Sequence, residues 1–177
     1  MGNGNQILTE IYTDGGCSGN PGPGGWAFII VQNAGGSGDG IPRLGGVGVS
    51  PTIIVEKWGA EGSTTNNRME LKAVIAALEA LPSLNPGAKE IVIYTDSQYV
   101  QKGMTQWLEE WKSKGWKTSA KKPVKNRDLW ERLDTLVSAL AADCGFSLKW
   151  AWVKGHAGNE YNERCDTLTG KAIASLA

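Results

Sequence analysis

The tetrapeptide Ile11-Tyr12-Thr13-Asp14 recurs as Ile93-Tyr94-Thr95-Asp96, and each copy ends an apolar run that is typical of a β-strand. Two strands would therefore present an aspartate at the same end. Neighbouring strands lie roughly 4.8 Å apart and two-metal hydrolases hold their cations roughly 3.5–4 Å apart, so such carboxylates can share metal ions. The alternative is that each aspartate begins a turn or caps the next helix. The repeat alone leaves both interpretations open.

The pattern on either side of the repeat predicts a single α/β domain over residues 1–177. Three strands joined by Gly- and Pro-rich turns are expected to be antiparallel, and two later strands alternate with helices and are expected to be parallel. This gives a five-stranded mixed sheet with helices on its faces. Predicted strands span residues 7–13, 26–31, 52–58, 91–95 and 147–153, and predicted helices span 66–81, with Pro82 as its stop, 97–104, 106–114, 129–140 and 162–176.

The composition argues against a uniformly basic nucleic-acid-binding protein, a disulfide-rich secreted protein and a membrane protein. The 177 residues carry 18 basic and 18 acidic side chains, so attraction to a polyanion must come from local clusters of charge. Three cysteines, Cys17, Cys144 and Cys165, form no close pair, which favours a reducing, cytoplasmic setting. No stretch is apolar enough to span a bilayer, and nothing in the sequence requires a protein partner or more than a monomer.

Glu70 is a third acid that could join the strand-end pair. Glu70 lies on the same helical face as Ala73, Val74 and Ala77, so its side chain is expected to point inward. It is either a partly exposed first-turn residue or a partner of Asp14 and Asp96, where three carboxylates would repel one another unless cations joined them. Hard oxygen ligands favour Mg²⁺ or Mn²⁺.

Asp166, near the start of the last helix, is either a first-turn acid or a fourth ligand. The single histidine, His156, follows the last strand between Gly155 and Gly158. It is either a surface residue or a proton carrier on a loop that moves.

A local positive cluster lies between Trp111 and Lys125. This stretch holds lysines at 112, 114, 117, 121, 122 and 125, no acid, and Trp116. Lysine-rich faces are often simply solvated. Aromatic side chains between the lysines favour contact with a phosphate backbone instead.

Taken together, the motifs resemble type 1 ribonuclease H of the bacterial kind. They follow the order of that family and span nearly the whole chain: TDGGC (13–17), GNPGPGG (19–25), TNNRMEL (65–71), TDSQYV (95–100), WKT (116–118), KKPVKN (121–126), WVKGHAG (152–158) and NERCD (162–166). The resemblance implies the ribonuclease H-like fold. It also implies hydrolysis of the RNA strand of an RNA·DNA hybrid by two divalent cations, with 5′-phosphate and 3′-hydroxyl ends and slight sequence preference.

Residue by residue, the resemblance implies the following roles. The metal-binding acids are Asp14, Glu70, Asp96 and Asp166, and the mobile catalytic histidine is His156. The readers of the RNA 2′-hydroxyl are Asn20, Asn66, Asn67 and Gln98, with Cys17 nearby. Thr65 and Asn126 hold a phosphate of the DNA strand, and a basic protrusion over residues 105–126 lies along the hybrid through Trp107, Lys112, Trp116, Lys121, Lys122 and Lys125.

Two departures from the family pattern bear on function. Glu110 replaces a neutral polar residue that assists the DNA-phosphate grip, so a weaker grip is expected. The glycine-rich loop over residues 32–50 is longer than the family usually carries.

The rival interpretations are a binding module without activity, a resolvase and an actin-like phosphotransferase. They would require, respectively, a missing metal ligand, a different spacing of acids with a dimer, and a second domain.

Overall fold

The computed structural model describes residues 7–34, 51–84, 90–145 and 147–177. Residues 35–50 of the predicted glycine-rich loop lie outside this range, whereas residues 32–34 belong to a strand. The strands are β1 (Ile7–Cys17), β2 (Gly22–Ala34), β3 (Thr52–Thr64), β4 (Glu90–Thr95) and β5 (Ser147–Trp152). The helices are α1 (Asn66–Leu84), α2 (Gln98–Lys102), a π-helical segment (Gly103–Trp107), α3 (Leu108–Ser113), α4 (Arg127–Cys144) and α5 (Glu160–Ala174).

The five strands form one mixed sheet in the order β3-β2-β1-β4-β5. The pairs β1/β2 and β2/β3 are antiparallel, whereas β1/β4 and β4/β5 are parallel. This confirms the predicted α/β architecture, a five-stranded mixed sheet with three antiparallel and two parallel strands. Within the described residues, no helix is long and apolar enough to cross a membrane.

The repeated tetrapeptide is in register across β1 and β4. Thr13 lies opposite Thr95, and the tyrosines before them, Tyr12 and Tyr94, stack with ring centroids 4.8 Å apart and planes 11° from parallel. Glu10 accepts hydrogen bonds from the Tyr94 hydroxyl at 3.2 Å and from Asn33 at 2.7 Å. Because the two copies are side by side, the aspartates that follow them leave the sheet at the same edge.

Side chains alternate between two apolar layers, as a pleated sheet requires. Ile11, Phe28 and Ile93 pack with α1 and α4 in the larger cluster, which contains the fully buried Trp130. On the other face, Tyr12 and Ile29 pack with residues of α5 in a smaller cluster. The predicted helices on both faces are therefore present.

Helix α1 continues past Pro82, so the prediction that this proline stops the helix at residue 81 is wrong. A proline removes one hydrogen bond of the ladder, but near a helix end this loss is small compared with burial. Leu81 is fully buried, and the Ser83 hydroxyl donates to the Ala80 carbonyl at 2.8 Å. Leu84, the last residue of α1, packs against the larger apolar cluster, and this contact favours one more helical turn.

The predicted break near Gly103 is also absent, since α2 continues into α3 through the π-helical segment. A Cβ added at Gly103 would lie 2.0 Å from the ring of Trp130. This glycine therefore makes room for a buried indole and does not end a helix. The end predicted near Gly115 is confirmed, because α3 ends at Ser113 and Gly115 has φ +64°.

We predict that Gly103→Ala destabilises the protein by about 1–3 kcal/mol, since the added methyl group overpacks against Trp130. The matched control is Gly170→Ala in α5, where an added Cβ meets nothing within 4 Å. There the higher helix propensity of alanine should stabilise the fold by about 0.5–1 kcal/mol. Urea denaturation measures both, and equal effects of the two substitutions would contradict this account of Gly103.

Candidate active site

Asp14 and Asp96 lie side by side at one edge of the sheet. They follow Thr13 and Thr95, which face each other across the parallel β1/β4 ladder. Asp14 is 6% exposed, and Asp96 is half-buried. The two strand-end carboxylates therefore lie next to each other, as the repeat predicted.

Glu70 joins them from α1, and Gly15 allows its approach. A Cβ added at Gly15 would lie 2.2 Å from the backbone nitrogen of Glu70, so a side chain here would push α1 away from β1. Glu70 is 6% exposed, as the inward-facing prediction required. Carboxylate oxygens of Asp14, Glu70 and Asp96 all lie within 4.8 Å of one another. We refer to these three residues as the carboxylate cluster.

Burial and mutual repulsion make the cluster unfavourable as three bare anions. Burial, followed by the charges of Asp14 and Asp96, raises the pKa of Glu70 well above its usual range. Burial, with smaller contributions from the charges of Asp96 and Asp166, raises the pKa of Asp14 to about 6. The pKa of Asp96 is also raised, chiefly by burial. The net effect at each of the three groups is that the charged form is disfavoured.

One oxygen in the cluster also lacks a hydrogen bond. Oε2 of Glu70 is buried and has no hydrogen-bond partner among the described residues. A buried carboxylate oxygen without a partner is costly, and a hard divalent cation would satisfy it while cancelling the repulsion. The donor set, three carboxylates within 4.8 Å, fits Mg²⁺ or Mn²⁺ and lacks the nitrogen and sulfur ligands typical of zinc.

Asp166 lies at the margin of this cluster. It is exposed on α5, and its charge raises the pKa of both Asp14 and Asp96. One turn later on α5, the Thr169 hydroxyl donates to the Asp14 carbonyl at 3.4 Å and so holds the helix against β1. Thr169 was not among the predicted site residues, although its position three residues after Asp166 places it on the same helical face.

His156 lies on the exposed connection between β5 and α5. Its backbone has φ +52°, a left-handed conformation that is uncommon for a residue with a side chain. Its electrostatic interaction with Asp14 and with Asp96 lowers the pKa of both carboxyl groups. The structure thus brings the predicted histidine to the carboxylate cluster while leaving it open to solvent.

The predicted 2′-hydroxyl readers lie around the start of α1 and of α2. The Asn20 side chain accepts a hydrogen bond from the Asn66 backbone at 3.3 Å, which joins the β1–β2 turn to α1. Cys17 donates to the carbonyls of Gly22 and Thr64 at 3.2 and 3.4 Å. Asn66, Asn67 and Gln98 are exposed.

The predicted DNA-phosphate grip joins α1 to the end of the protrusion. Thr65 directly precedes α1, and Arg68 in the first turn reaches Asn126 at 3.5 Å and Asp128 at 2.7 Å. Asn126 donates to the Tyr99 hydroxyl at 3.2 Å and has φ +57°. Its amide is therefore held in a fixed orientation.

The lysines of the protrusion fall into two groups. Lys112 pairs with Glu109 and Asp134 at 3.1 Å, and Lys114 pairs with Glu110. Lys117, Lys121, Lys122 and Lys125 are exposed and form no ion pair within the part of the chain that the structure describes. The negative charge of Glu110, the predicted departure, is thus offset by Lys114.

The predicted protrusion tryptophans are partly buried. Trp107 lies between Tyr99 and Trp111, with ring centroids at 6.3 and 5.6 Å. The Arg127 guanidinium lies 5.5 Å from the centroid of the Trp116 ring. These rings are therefore held in place by the side chains around them, whereas the lysines after residue 116 are exposed to solvent.

Comparison with known proteins places this site in a family. The sequence matches the family model described as RNase H over residues 6–174. It is 49% identical to ribonuclease H of Treponema pallidum over 176 residues, covering 99% of this chain and 95% of that protein. It is 48% identical to ribonuclease H of Chromobacterium violaceum over 167 residues, covering 94% and 95%.

The chain belongs to the RNase H family. The resemblance inferred from the motifs, to bacterial type 1 ribonuclease H, is confirmed, and the chain is an endoribonuclease of this family. LC9-RNase H1, described as a type 1 RNase H with the type 2 active-site motif, matches at a TM-score of 0.72 and 33% identity, covering 97% of this chain and 74% of that one. LC11-RNase H1, solved in complex with an RNA/DNA hybrid, matches at a TM-score of 0.61 and 25% identity, covering 94% and 97%.

We predict that Asp14→Asn stabilises the metal-free RNase H fold at pH 8. The folded-state pKa of about 6 exceeds the ordinary 3.8, so between these values the folded protein holds a proton that the unfolded chain releases, and ionised Asp14 opposes folding above pH 6. The gain, on the order of 2 kcal/mol, should shrink as the pH falls through 6 and vanish below 3.8.

Calorimetry in chelator across this pH range measures the effect. Asp143→Asn, at an exposed position on α4, is the control and should show no such dependence. A lower unfolding temperature for Asp14→Asn than for the wild type at pH 8 would contradict the prediction.

Proposed function

We propose that the chain hydrolyses the RNA strand of RNA·DNA hybrids in a reaction that uses two divalent cations and leaves 5′-phosphate and 3′-hydroxyl ends. The observation that carries this proposal is the carboxylate cluster, with three acids within 4.8 Å and one buried oxygen without a partner. A hybrid as substrate is supported by the family and by LC11-RNase H1, which was solved with an RNA/DNA hybrid.

Asp14, Glu70 and Asp96 would hold the cations, Mg²⁺ or, as a substitute, Mn²⁺, with Asp166 completing the set from α5. When bound, such ions lower the pKa of the attacking water and neutralise the leaving 3′-oxygen. The protein fixes the ligand geometry through the β1/β4 ladder and the close contact at Gly15. Asp166, being exposed, is free to adjust as substrate enters.

His156 acts as a catalytic proton carrier at the mouth of the site. Its exposed imidazole can take up or release a proton at a ring nitrogen, and it interacts electrostatically with Asp14 and Asp96. Glycines at 155 and 158 on either side give the loop freedom to move with the product. This role is auxiliary, since the carboxylates supply the charge that binds metal.

Asn20, Asn66, Asn67 and Gln98 read the RNA strand through 2′-hydroxyl groups, with Cys17 beside them. Amide side chains offer both a donor and an acceptor, as does a hydroxyl, and the wide minor groove of a hybrid exposes these groups without regard to sequence. The hydrogen bond between Asn20 and the start of α1 supports a shared reading surface. Slight sequence preference follows.

The DNA strand is held by Thr65 and Asn126 and by the basic protrusion over residues 105–126. The fixed amide of Asn126 suits a single phosphate. Lys121, Lys122 and Lys125 offer charge that has no ion-pair partner among the described residues, and Trp107 and Trp116 support the surface that carries them. Lys112 would have to leave its acidic partners.

We further propose that residues 1–177 act as one catalytic domain, as a monomer in the cytoplasm and without an obligate protein partner. One sheet and the helices packed on it carry the carboxylate cluster, which supports a single domain. Cys17 and Cys165 are free thiols, which supports a reducing compartment.

Strand-labelled RNA·DNA, RNA·RNA and DNA·DNA duplexes with Mg²⁺, with and without chelator, test the proposal. We predict metal-dependent cuts confined to the RNA of the hybrid. Asp14→Asn should lose cleavage while retaining hybrid binding, and Asp143→Asn, the same change at an exposed site on α4, should cleave normally. Binding without cleavage by the wild type would favour the binding-module alternative, and full activity of Asp14→Asn would reject the metal site.

The two groups of lysines yield a separate prediction. Replacing both Lys121 and Lys122 with Gln should raise KM for the hybrid and reduce the salt dependence of binding, with kcat little changed, because two free charges are lost. Replacing Lys112 and Lys114 with Gln removes the same charge from ammonium groups that already pair with acids, so its effect should be smaller. Cleavage kinetics at two salt concentrations distinguish them, and equal effects would contradict the difference.

A further inference from the structure

The end of β5 holds the backbone of Asp96 at two successive carbonyls. The Val153 backbone N–H donates to the Thr95 carbonyl at 3.0 Å. The Trp152 indole N–H donates to the Asp96 carbonyl at 2.9 Å. The first bond extends the β4/β5 ladder by one residue. The second comes from a side chain and joins β5 directly to Asp96, the proposed metal ligand.

Burial does not account for the position of Trp152. Its side chain is 45% exposed, one of the most exposed large apolar side chains among the described residues. A Trp side chain has an apolar ring and one polar N–H, and its N–H usually finds a hydrogen-bond partner. For this half-exposed ring, the hydrogen bond to the Asp96 carbonyl adds a directional contact to the partial packing.

The same connection touches Asp96 at its other end. A Cβ added at Gly155 would lie 2.8 Å from Oδ2 of Asp96. Gly155 is not among the glycines with positive φ, so its backbone conformation does not require a glycine. The missing side chain instead leaves room for the carboxylate. Trp152 thus holds the carbonyl of Asp96, and Gly155 borders its carboxylate.

Asp96 needs such support more than its neighbours in the cluster. It follows the last residue of β4 and is half-buried, whereas Asp14 lies within β1 and Glu70 within α1. Repulsion from the other two carboxylates would favour rotation of Asp96 toward solvent. The hydrogen bond from Trp152 to its carbonyl and the close contact of Gly155 with its carboxylate both oppose that movement.

We propose that Trp152 and Gly155 are positioning residues for Asp96, which set the affinity of the carboxylate cluster for divalent cations. This inference rests on the metal-binding role proposed for the cluster. It extends the site to the β5–α5 connection that carries His156. Movement of this connection and occupancy of the metal site would then influence each other.

Direct titration of the full chain with Mn²⁺ alone, followed by calorimetry, tests the inference without substrate. Trp152→Phe keeps an aromatic ring and removes the N–H donor. Losing one such hydrogen bond should weaken Mn²⁺ binding by about three- to tenfold. Trp58→Phe is the matched control, because Trp58 is 47% exposed on β3, at the opposite edge of the sheet from β5. It should bind Mn²⁺ as the wild type does.

Gly155→Ala provides a second, independent variant. Its methyl group would press on Oδ2 of Asp96 and should also weaken Mn²⁺ binding. In cleavage assays, Trp152→Phe should require more Mg²⁺ for half-maximal activity but recover the wild-type kcat at saturating Mg²⁺, with KM for the hybrid unchanged. General damage to the fold would instead lower kcat at every Mg²⁺ concentration.

The outcomes separate the inference from the proposed function. Mn²⁺ binding by the wild type that is lost in Asp14→Asn supports the metal site, and its absence in the wild type would overturn both proposals. Wild-type affinity in Trp152→Phe and Gly155→Ala would overturn the positioning role alone. An equal loss in Trp58→Phe would overturn it too, because the effect would then not depend on contact with Asp96.

Discussion

Mutual repulsion of three carboxylates held within 4.8 Å is the constraint on which the rest of this structure depends. Asp14, Glu70 and Asp96 come from three different elements, and burial raises the pKa of each. Such an arrangement opposes folding unless a cation compensates it, so the surrounding structure must hold it in place. In the proposed function, a doubly charged ion would recover the free energy that the fold loses here.

The elements around the cluster each resist its separation. The β1/β4 ladder and the stacked rings of Tyr12 and Tyr94 fix the two strand ends. Gly15 lets α1 approach β1 closely enough to bring in Glu70, and Thr169 fastens α5 to the carbonyl of Asp14. Apolar packing on both faces of the sheet supplies the stability against which this repulsion acts.

Features that depend on local sequence patterns could be predicted from the sequence. A repeated tetrapeptide after two apolar runs predicted two aspartates at the same end of the sheet, and helical spacing predicted that Glu70 points inward, although each pattern alone left an alternative open. Contacts between distant segments were beyond such patterns. The packing of Trp130 against Gly103, the acidic partners of Lys112 and the bond from Trp152 to Asp96 join residues far apart in the chain. The prediction at Pro82 was wrong because the local effect of the proline is weaker than the packing of Leu84 against the core.

Anomalous diffraction from crystals soaked in Mn²⁺ tests the central claim most directly, since it locates the ion without reference to activity. The account predicts a peak bounded by the carboxylates of Asp14, Glu70 and Asp96, and its loss in crystals of Asp14→Asn. A peak elsewhere with none at the cluster, or an unchanged peak in Asp14→Asn, would contradict it.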